Sequence, residues 1–264
     1  MSDAAFRRSL LVCCDLRRYS AADDHLQRAL QELLVQSLDR AGRAAGLDRA
    51  RWVRQPKGDE EWAVLPPDTP EPLVVDRYVR ELDAELRSVN RYRVPEAKLR
   101  MRLAVHFGVT AQGANGFPGQ DAVLVSRLLD SPVAKRALEQ APDADLVVVL
   151  SEVVYDSLVR AGRTTLDPAA FRRVAVSVKD FTGHAWLWLP SGNAHALRLE
   201  EPAPPPSSPS VVQHATASGG STVVQAGRDA HMPTQRADVV QHFDRNDQRG
   251  SHFGPVYGAG RDGG

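Results

Sequence analysis

Two aspartates stand where carboxylates could do chemistry. Asp15 ends the apolar run from Ser9 to Cys14, and Asp59 lies in the polar stretch PKGDEE between two β-rich segments, 44 positions further on. If the first run is a strand and the two segments form a hairpin beside it, antiparallel pairing brings both carboxylates to one place. Magnesium prefers oxygen ligands and typically takes one or two protein carboxylates, completing its shell with water and substrate phosphates. The pair therefore suits Mg2+ or Mn2+ together with a nucleoside triphosphate. A solvated polar turn would carry the same residues, because Lys57, Gly58 and Asp59 are ordinary turn chemistry.

The elements that must position these groups follow from apolar spacing. Ser9 to Cys14 reads as a strand, and Ser20 with Asp23 three residues later reads as a capping box opening a helix. Leu26, Leu30, Leu33, Leu34 and Leu38 then fall on one helical stripe. Trp52 to Gln55 and Trp62 to Leu65 form a hairpin around Pro56 and Gly58, Pro70 to Arg91 has helical spacing, and Leu99 to Val109 reads as a central strand. The order is βαββαβ. A Gly/Asn/Pro loop at Gln112 to Gly119 follows, then a helix from about Asp121, a buried strand at Leu146 to Leu150, and a helix from near Ser151. Strands at Val174 to Val178 and Ala185 to Leu189 close an α/β (α+β) domain over residues 1–190. EPAPPPSSPS marks a linker over 191–210, and residues 211–264 form a low-complexity tail expected to be disordered.

Composition narrows the function classes. The formal net charge is zero, which argues against a nucleic-acid partner. Cys13 and Cys14 are the two cysteines and are adjacent, so a disulfide framework is excluded. The apolar runs fall short of the roughly 20 residues that span a bilayer, and the expected setting is the cytoplasm, without membrane attachment. Four of the eight histidines lie in the tail without metal-ligand spacing. His106 is expected to be a hydrogen-bonded core residue, and the four tryptophans to be packing residues.

Several segments, in order, carry a resemblance. CDLRRYS resembles the first metal-binding segment of class III adenylate and guanylate cyclases, KGDEEWAV resembles their Gly-Asp hairpin, and RLAVHFGV resembles their Arg-Ile-Gly-Ile-His-x-Gly strand. GQDAVLVSRLL is similar to their Gly-x-x-Val-Asn-x-Ala-x-Arg-Leu helix start, and LSEVVYDSLV and VAVSVKDFTGHAW are similar to the closing segments. The resemblance covers about Leu10 to Pro190. It implies a ferredoxin-like βαββαβ nucleotidyl cyclase core with additional C-terminal strands and helices, acting as a homodimer with composite sites. It also implies Asp15 and Asp59 as metal carboxylates, with Leu16 as a backbone ligand. Tyr19, Ser20, Gly58 and Gly119 would lie at nucleotide-contacting positions, and Arg127 would stabilise charge on the transferred phosphoryl group.

Three family positions are changed. The ribose-positioning asparagine is Val123, which has no hydrogen-bonding group. The lysine that reads adenine falls at Gln55, and its acidic partner falls near Gly116; Lys57 offers a shifted contact, though a hairpin lysine is ordinarily solvated.

In the tail, Val-Val-Gln occurs three times, and Val223, Val224, Gln225, Ala226 and Gly227 resemble the amyloid signalling motifs of RIP-homotypic type and their bacterial counterparts. Such a motif would recruit a protein partner by strand stacking. The expected function is cyclisation of a nucleoside triphosphate in bacterial signalling or antiphage defence. The alternatives are a catalytically degenerate nucleotide-sensing or adaptor module, or an interaction domain with no nucleotide function.

Overall fold

The computed structural model describes residues 7–199, which build one mixed sheet in the order β2-β3-β1-β4-β5-β7-β6. The tail motif at Val223 to Gly227 lies outside the described residues. The strands are β1 (Arg7–Leu16), β2 (Val53–Lys57), β3 (Glu60–Val64), β4 (Met101–Thr110), β5 (Leu146–Ser151), β6 (Arg172–Val178) and β7 (Phe181–Trp188). The order β2-β3-β1-β4 is the ferredoxin-like arrangement expected for βαββαβ. β5 adds parallel to β4, and the β6–β7 hairpin continues the sheet beyond it.

Alternation along β1 splits the core into two layers. Leu10, Val12, Cys14 and Leu16 face one layer, packed with α1 (Asp24–Ala44) and α3 (Val79–Asn90). Leu11 and Cys13 face the other, packed with α4 (Gln120–Asp130) and α5 (Pro132–Gln140). Leu30, Leu34 and Leu38 are buried in the first layer, as the α1 stripe requires, while Leu26 and Leu33 pack at its margin.

Four details depart from the sequence expectations. Asp23, not Ser20, caps α1: its carboxylate accepts the Leu26 N–H at 2.8 Å, whereas Ser20 lies in a 3₁₀ turn, Tyr19–Ala21. The helix expected over 70–91 is α2 (Glu71–Leu73) and α3 separated by a π-helical turn, Val74–Tyr78. That turn holds Asp76 against the Thr165 N–H and hydroxyl, both at 2.7 Å. The helix after Gly119 breaks at Ser131, whose hydroxyl accepts the Ala134 N–H and so opens α5 on Pro132. The region near Ser151 is a short α6 (Glu152–Val154) running into a π-helical turn, Tyr155–Arg160.

The domain also runs past residue 190. Ala194 is fully buried, Leu199 is nearly so, and Arg172 donates to the Leu197 carbonyl at 2.7 Å. Ala194 and Leu199, expected to lie in the linker, are instead packed on the domain. Among the described residues no helix is long and apolar enough to cross a membrane.

Candidate functional site

The pairing of β1 with its neighbours sets the first part of the site. Asp15 lies opposite Glu60 of β3 and Arg102 of β4. Arg102 grips it with a two-pronged contact: Nε donates to Oδ1 at 2.8 Å and Nη2 donates to Oδ2, while Nη1 donates to the Leu129 carbonyl at 3.2 Å. Burial, helped by the nearby carboxylates of Asp130 and Asp59, pushes the Asp15 carboxyl up to about 7 against the lowering pull of Arg102. The paired fork is the geometry of an ionised carboxylate.

The β2–β3 turn delivers Asp59. Lys57 pairs with Glu60, leaving Gly58 and Asp59 as a two-residue loop, and Gly58 adopts φ 63, which glycine enters without strain. The Leu16 N–H donates to the Asp59 carbonyl at 3.1 Å, which fastens the turn to the end of β1. Glu60 is drawn away from this point, accepting from Trp62 Nε1 at 2.7 Å and from the Cys13 thiol at 3.4 Å.

The groups gathered here are two carboxylates close enough to perturb one another. That set fits a hard divalent cation such as Mg2+ or Mn2+. Among the described residues no group of three or more metal-binding side chains exists, so the remaining ligands would come from water and substrate. Arg102 is the cation that balances Asp15 in this conformation.

A cleft of about 240 Å3 opens between the hairpin and α4, lined by Gln55, Trp62, Asn115, Gly116, Phe117, Ala122, Val123 and Ser126. Trp62 and Phe117 stack with centroids 6.2 Å apart. A Cβ at Gly116 would lie 2.7 Å from Gln55 Oε1, so the absence of a side chain lets the amide approach the loop. None of the lining side chains is charged, and Val123 presents its apolar side chain at 42% exposure.

Helix α4 is held to the sheet by a partly buried chain of polar groups. Asp121 accepts the Val109 N–H at 2.6 Å and pairs with His106 Nε2 at 3.2 Å, while His106 Nδ1 meets the Ser151 hydroxyl at 2.9 Å. Because a carboxylate only accepts, Nε2 carries the proton and Nδ1 accepts from Ser151. Gly108 makes this possible, since a Cβ there would fall 2.3 Å from Asp121 Cβ. Gly108→Ala should therefore cost about 1–3 kcal/mol in chemical unfolding, with α4 displaced; an unchanged unfolding midpoint would contradict this.

Burial lowers the His106 pKa below 6.5, partly opposed by Asp121. The unfolded chain takes up that proton first, so the contribution of His106 is complete above about pH 6.5 and declines as pH falls through that value. Unfolding free energies measured at pH 7.5 and 5.5 should show this fall, and His106→Gln should reduce it.

Among solved structures, the chain is similar to an adenylate/guanylate cyclase/hydrolase from Silicibacter pomeroyi, at 15% identity and a TM-score of 0.51, over 70% of this chain and 98% of that one. The fold is that of a nucleotide cyclase domain. Similarity extends to the guanylyl cyclase Cya2 (13% identity, TM-score 0.49, 75% of this chain and 99% of that one). It extends also to the adenylyl cyclase CyaB from P. aeruginosa (14%, 0.45, 70% and 95%). No family model matches the sequence, and no curated protein does.

Within this cyclase fold the residues singled out from sequence fall into three groups. Asp15, Leu16 and Asp59 meet at the β1 end, with Tyr19 and Ser20 on the turn that follows; the Tyr19 hydroxyl accepts from Gln31 at 2.6 Å. Gln55, Gly116 and Val123 meet at the cleft, while Lys57 and Gly58 stay exposed at the hairpin tip. Gly119, at φ 124, starts α4, and Arg127 further along it forms an ion pair with Asp180 in the β6–β7 turn. Arg102, Asn115, Phe117 and Ser126 were not anticipated as site residues. For Arg102 the signal lay in its place opposite Asp15, which only the strand register reveals.

Proposed function

We propose that the chain is a class III-like nucleotidyl cyclase, converting a nucleoside triphosphate to a cyclic nucleotide and pyrophosphate. The observation that carries the reading is the fastening of the Asp59 turn to the end of β1, with the two carboxylates within electrostatic reach of one another, in a cyclase fold. Asp15, Asp59 and the Leu16 carbonyl would hold Mg2+ or Mn2+, which supplies charge neutralisation at the phosphates and lowers the pKa of a bound hydroxyl. Arg102, once exchanged from Asp15, is free to present its paired donors to phosphate oxygens. Gln55 and Asn115 would meet the base edge with neutral amides, and Val123 would offer the ribose an apolar contact. In the reaction the ribose 3′-oxygen forms a bond to the α-phosphorus and the bond to the leaving pyrophosphate breaks; Arg127 would steady the charge that develops.

Arg127 must first leave Asp180. That partner is 77% exposed, so the pair is weakly held and exchange costs little. A symmetric homodimer would allow the carboxylate edge of one chain to meet the α4 cleft of another. A second reading, a degenerate nucleotide-sensing or adaptor module in bacterial signalling or defence, is favoured by Val123 and by the engagement of both Asp15 and Arg127 with internal partners. In that case Val223 to Gly227 would recruit the partner protein.

The test is pyrophosphate release by purified protein with ATP, GTP, CTP and UTP in turn, in magnesium or manganese. Release with one nucleotide supports the cyclase and identifies its base. Tight nucleotide binding without release supports the second reading, and neither binding nor release removes both.

A further inference from the structure

The two most exposed large apolar side chains among the described residues share one loop. Tyr92 is 88% exposed and Val94 is 62% exposed, and both lie in RYRVPEAK, residues 91–98, between α3 and β4. A lone exposed apolar residue signifies little, because such residues are common on surfaces. Here the two flank Arg93 and follow Arg91, whose guanidinium lies over the Tyr92 ring at 5.4 Å.

The loop is fastened along its length. Asn90 clamps its root, giving Nδ2 to the Leu99 carbonyl at 2.9 Å and accepting the Leu99 N–H at 2.7 Å. The Arg93 N–H donates to the Asn90 carbonyl at 3.1 Å, and the Ala97 N–H donates to the Val94 carbonyl at 3.0 Å. Arg93 Nη1 adds a bond to the Ala97 carbonyl at 3.2 Å, and Pro95 opens the 3₁₀ turn Pro95–Ala97. Tyr92 and Val94 thus stand in solvent on backbone that is already ordered, so a contact made through them costs little further ordering.

The charge around this tip is cationic. Arg91 and Arg93 form no ion pair among the described residues, and neither do Arg17 and Arg18, which share a hollow of about 130 Å3 with Pro95 and Glu96 of the loop. Glu96 is the one carboxylate on the loop itself. Arg87 is paired with Asp83, Lys98 lies within electrostatic reach of Asp145, and Arg100 within reach of Asp145 and Asp143, so those three add little net charge.

We propose that the 91–98 loop is a peripheral docking tip for an anionic bilayer surface, with Tyr92 and Val94 entering the headgroup region. Arg91 and Arg93 would meet the anionic headgroups, and Arg17 and Arg18 would add longer-range attraction. Tyrosine suits that boundary because its ring is apolar and its hydroxyl stays wet, while the arginine stems cover apolar surface below a charged head. An acidic protein would match the charge but not the tip: two side chains fall far short of the roughly 800 Å2 that each partner buries in a stable complex. A reversible surface contact needs no spanning segment, and so revises the sequence expectation of a chain without membrane attachment.

Co-sedimentation of the full chain with vesicles of phosphatidylcholine alone, and of equal parts phosphatidylcholine and phosphatidylglycerol, tests the surface. Binding to the mixed vesicles is expected at low salt, weakening as salt rises, and at least about tenfold weaker on phosphatidylcholine alone. Arg91→Gln and Tyr92→Ser should each weaken it about fivefold, with melting temperatures within about 2 °C of the parent because both side chains are exposed. Cys13 and Cys14 are the two cysteines of the chain and are buried, so Tyr92→Cys offers one accessible thiol for an environment-sensitive fluorophore whose apolar ring replaces the phenol. Its emission should move to the blue on the mixed vesicles. Absence of sedimentation with either vesicle would overturn the proposal, as would sedimentation untouched by both Arg91→Gln and Tyr92→Ser, or an unshifted emission from sedimented chain. Self-association in solution that Tyr92→Ser abolishes, without vesicle binding, would overturn it too, by assigning the loop to a contact between two copies.

Discussion

Asp59→Asn should lower pyrophosphate release about a thousandfold, the equivalent of about 4 kcal/mol of transition-state stabilisation, while leaving stability within about 0.5 kcal/mol. The asymmetry arises because, among the described residues, the Asp59 side chain makes no hydrogen bond or ion pair, while its main-chain carbonyl accepts from Leu16. Asparagine preserves the shape and the turn but removes the charge that a divalent cation needs. Asp15→Asn is predicted to behave differently. Arg102, whose side chain is 9% exposed, would lose both charged acceptors, at a cost of about 2–3 kcal/mol in stability in addition to the loss of turnover. Kinetics with each nucleotide, set beside urea unfolding of the same preparations, separate the two. Equal turnover in Asp59→Asn and the parent chain would remove Asp59 from the site; equal destabilisation by both substitutions would show that the Arg102 fork does not hold Asp15.

Much of this arrangement was legible because apolar pattern fixes where strands lie. The runs at Ser9 to Cys14, Leu99 to Val109 and Leu146 to Leu150 became β1, β4 and β5, and the PKGDEE turn between two β-rich segments placed Asp59 beside Asp15. The partners of those carboxylates were not legible. Asp15 and Arg102 are 87 positions apart and meet through register, which no local signal carries. Ser20 and Asp23 are both good helix caps, and only the geometry of the preceding 3₁₀ turn selects the second. The break between α4 and α5 did have a signal, Ser131 followed by Pro132, hidden by the continuous apolar stripe on both sides. Gln55 and Gly116 are separated by 61 positions, and the loop that joins them in the cleft has no periodic pattern to read.

Arg49→Met should destabilise the domain by about 3–5 kcal/mol, even though Arg49 lies outside the proposed chemistry. Its side chain is 3% exposed, donates to Asp39 of α1 at 2.6 Å, pairs with Glu61 of β3, and lies over the Trp52 ring at 5.1 Å. The stem passes so close to α1 that a Cβ at Gly42 would fall 2.8 Å from Arg49 Cδ. Methionine would keep part of the packing but strand Glu61, 6% exposed, with only Arg54 at 3.9 Å as a distant counter-charge. For a domain of this size the loss corresponds to a melting temperature roughly 10 °C lower. The mechanism predicts its own remedy: Arg49→Met with Glu61→Leu removes both charges and should recover at least half of the lost stability, because desolvating an unpaired carboxylate is the dominant cost. A double variant no more stable than the single would mean that packing of the arginine stem, and not the stranded charge, dominates. Since Glu61 follows Asp59 by two positions on the strand leaving the turn, the single variant should also weaken nucleotide binding, and the double variant should restore it in proportion to the stability regained.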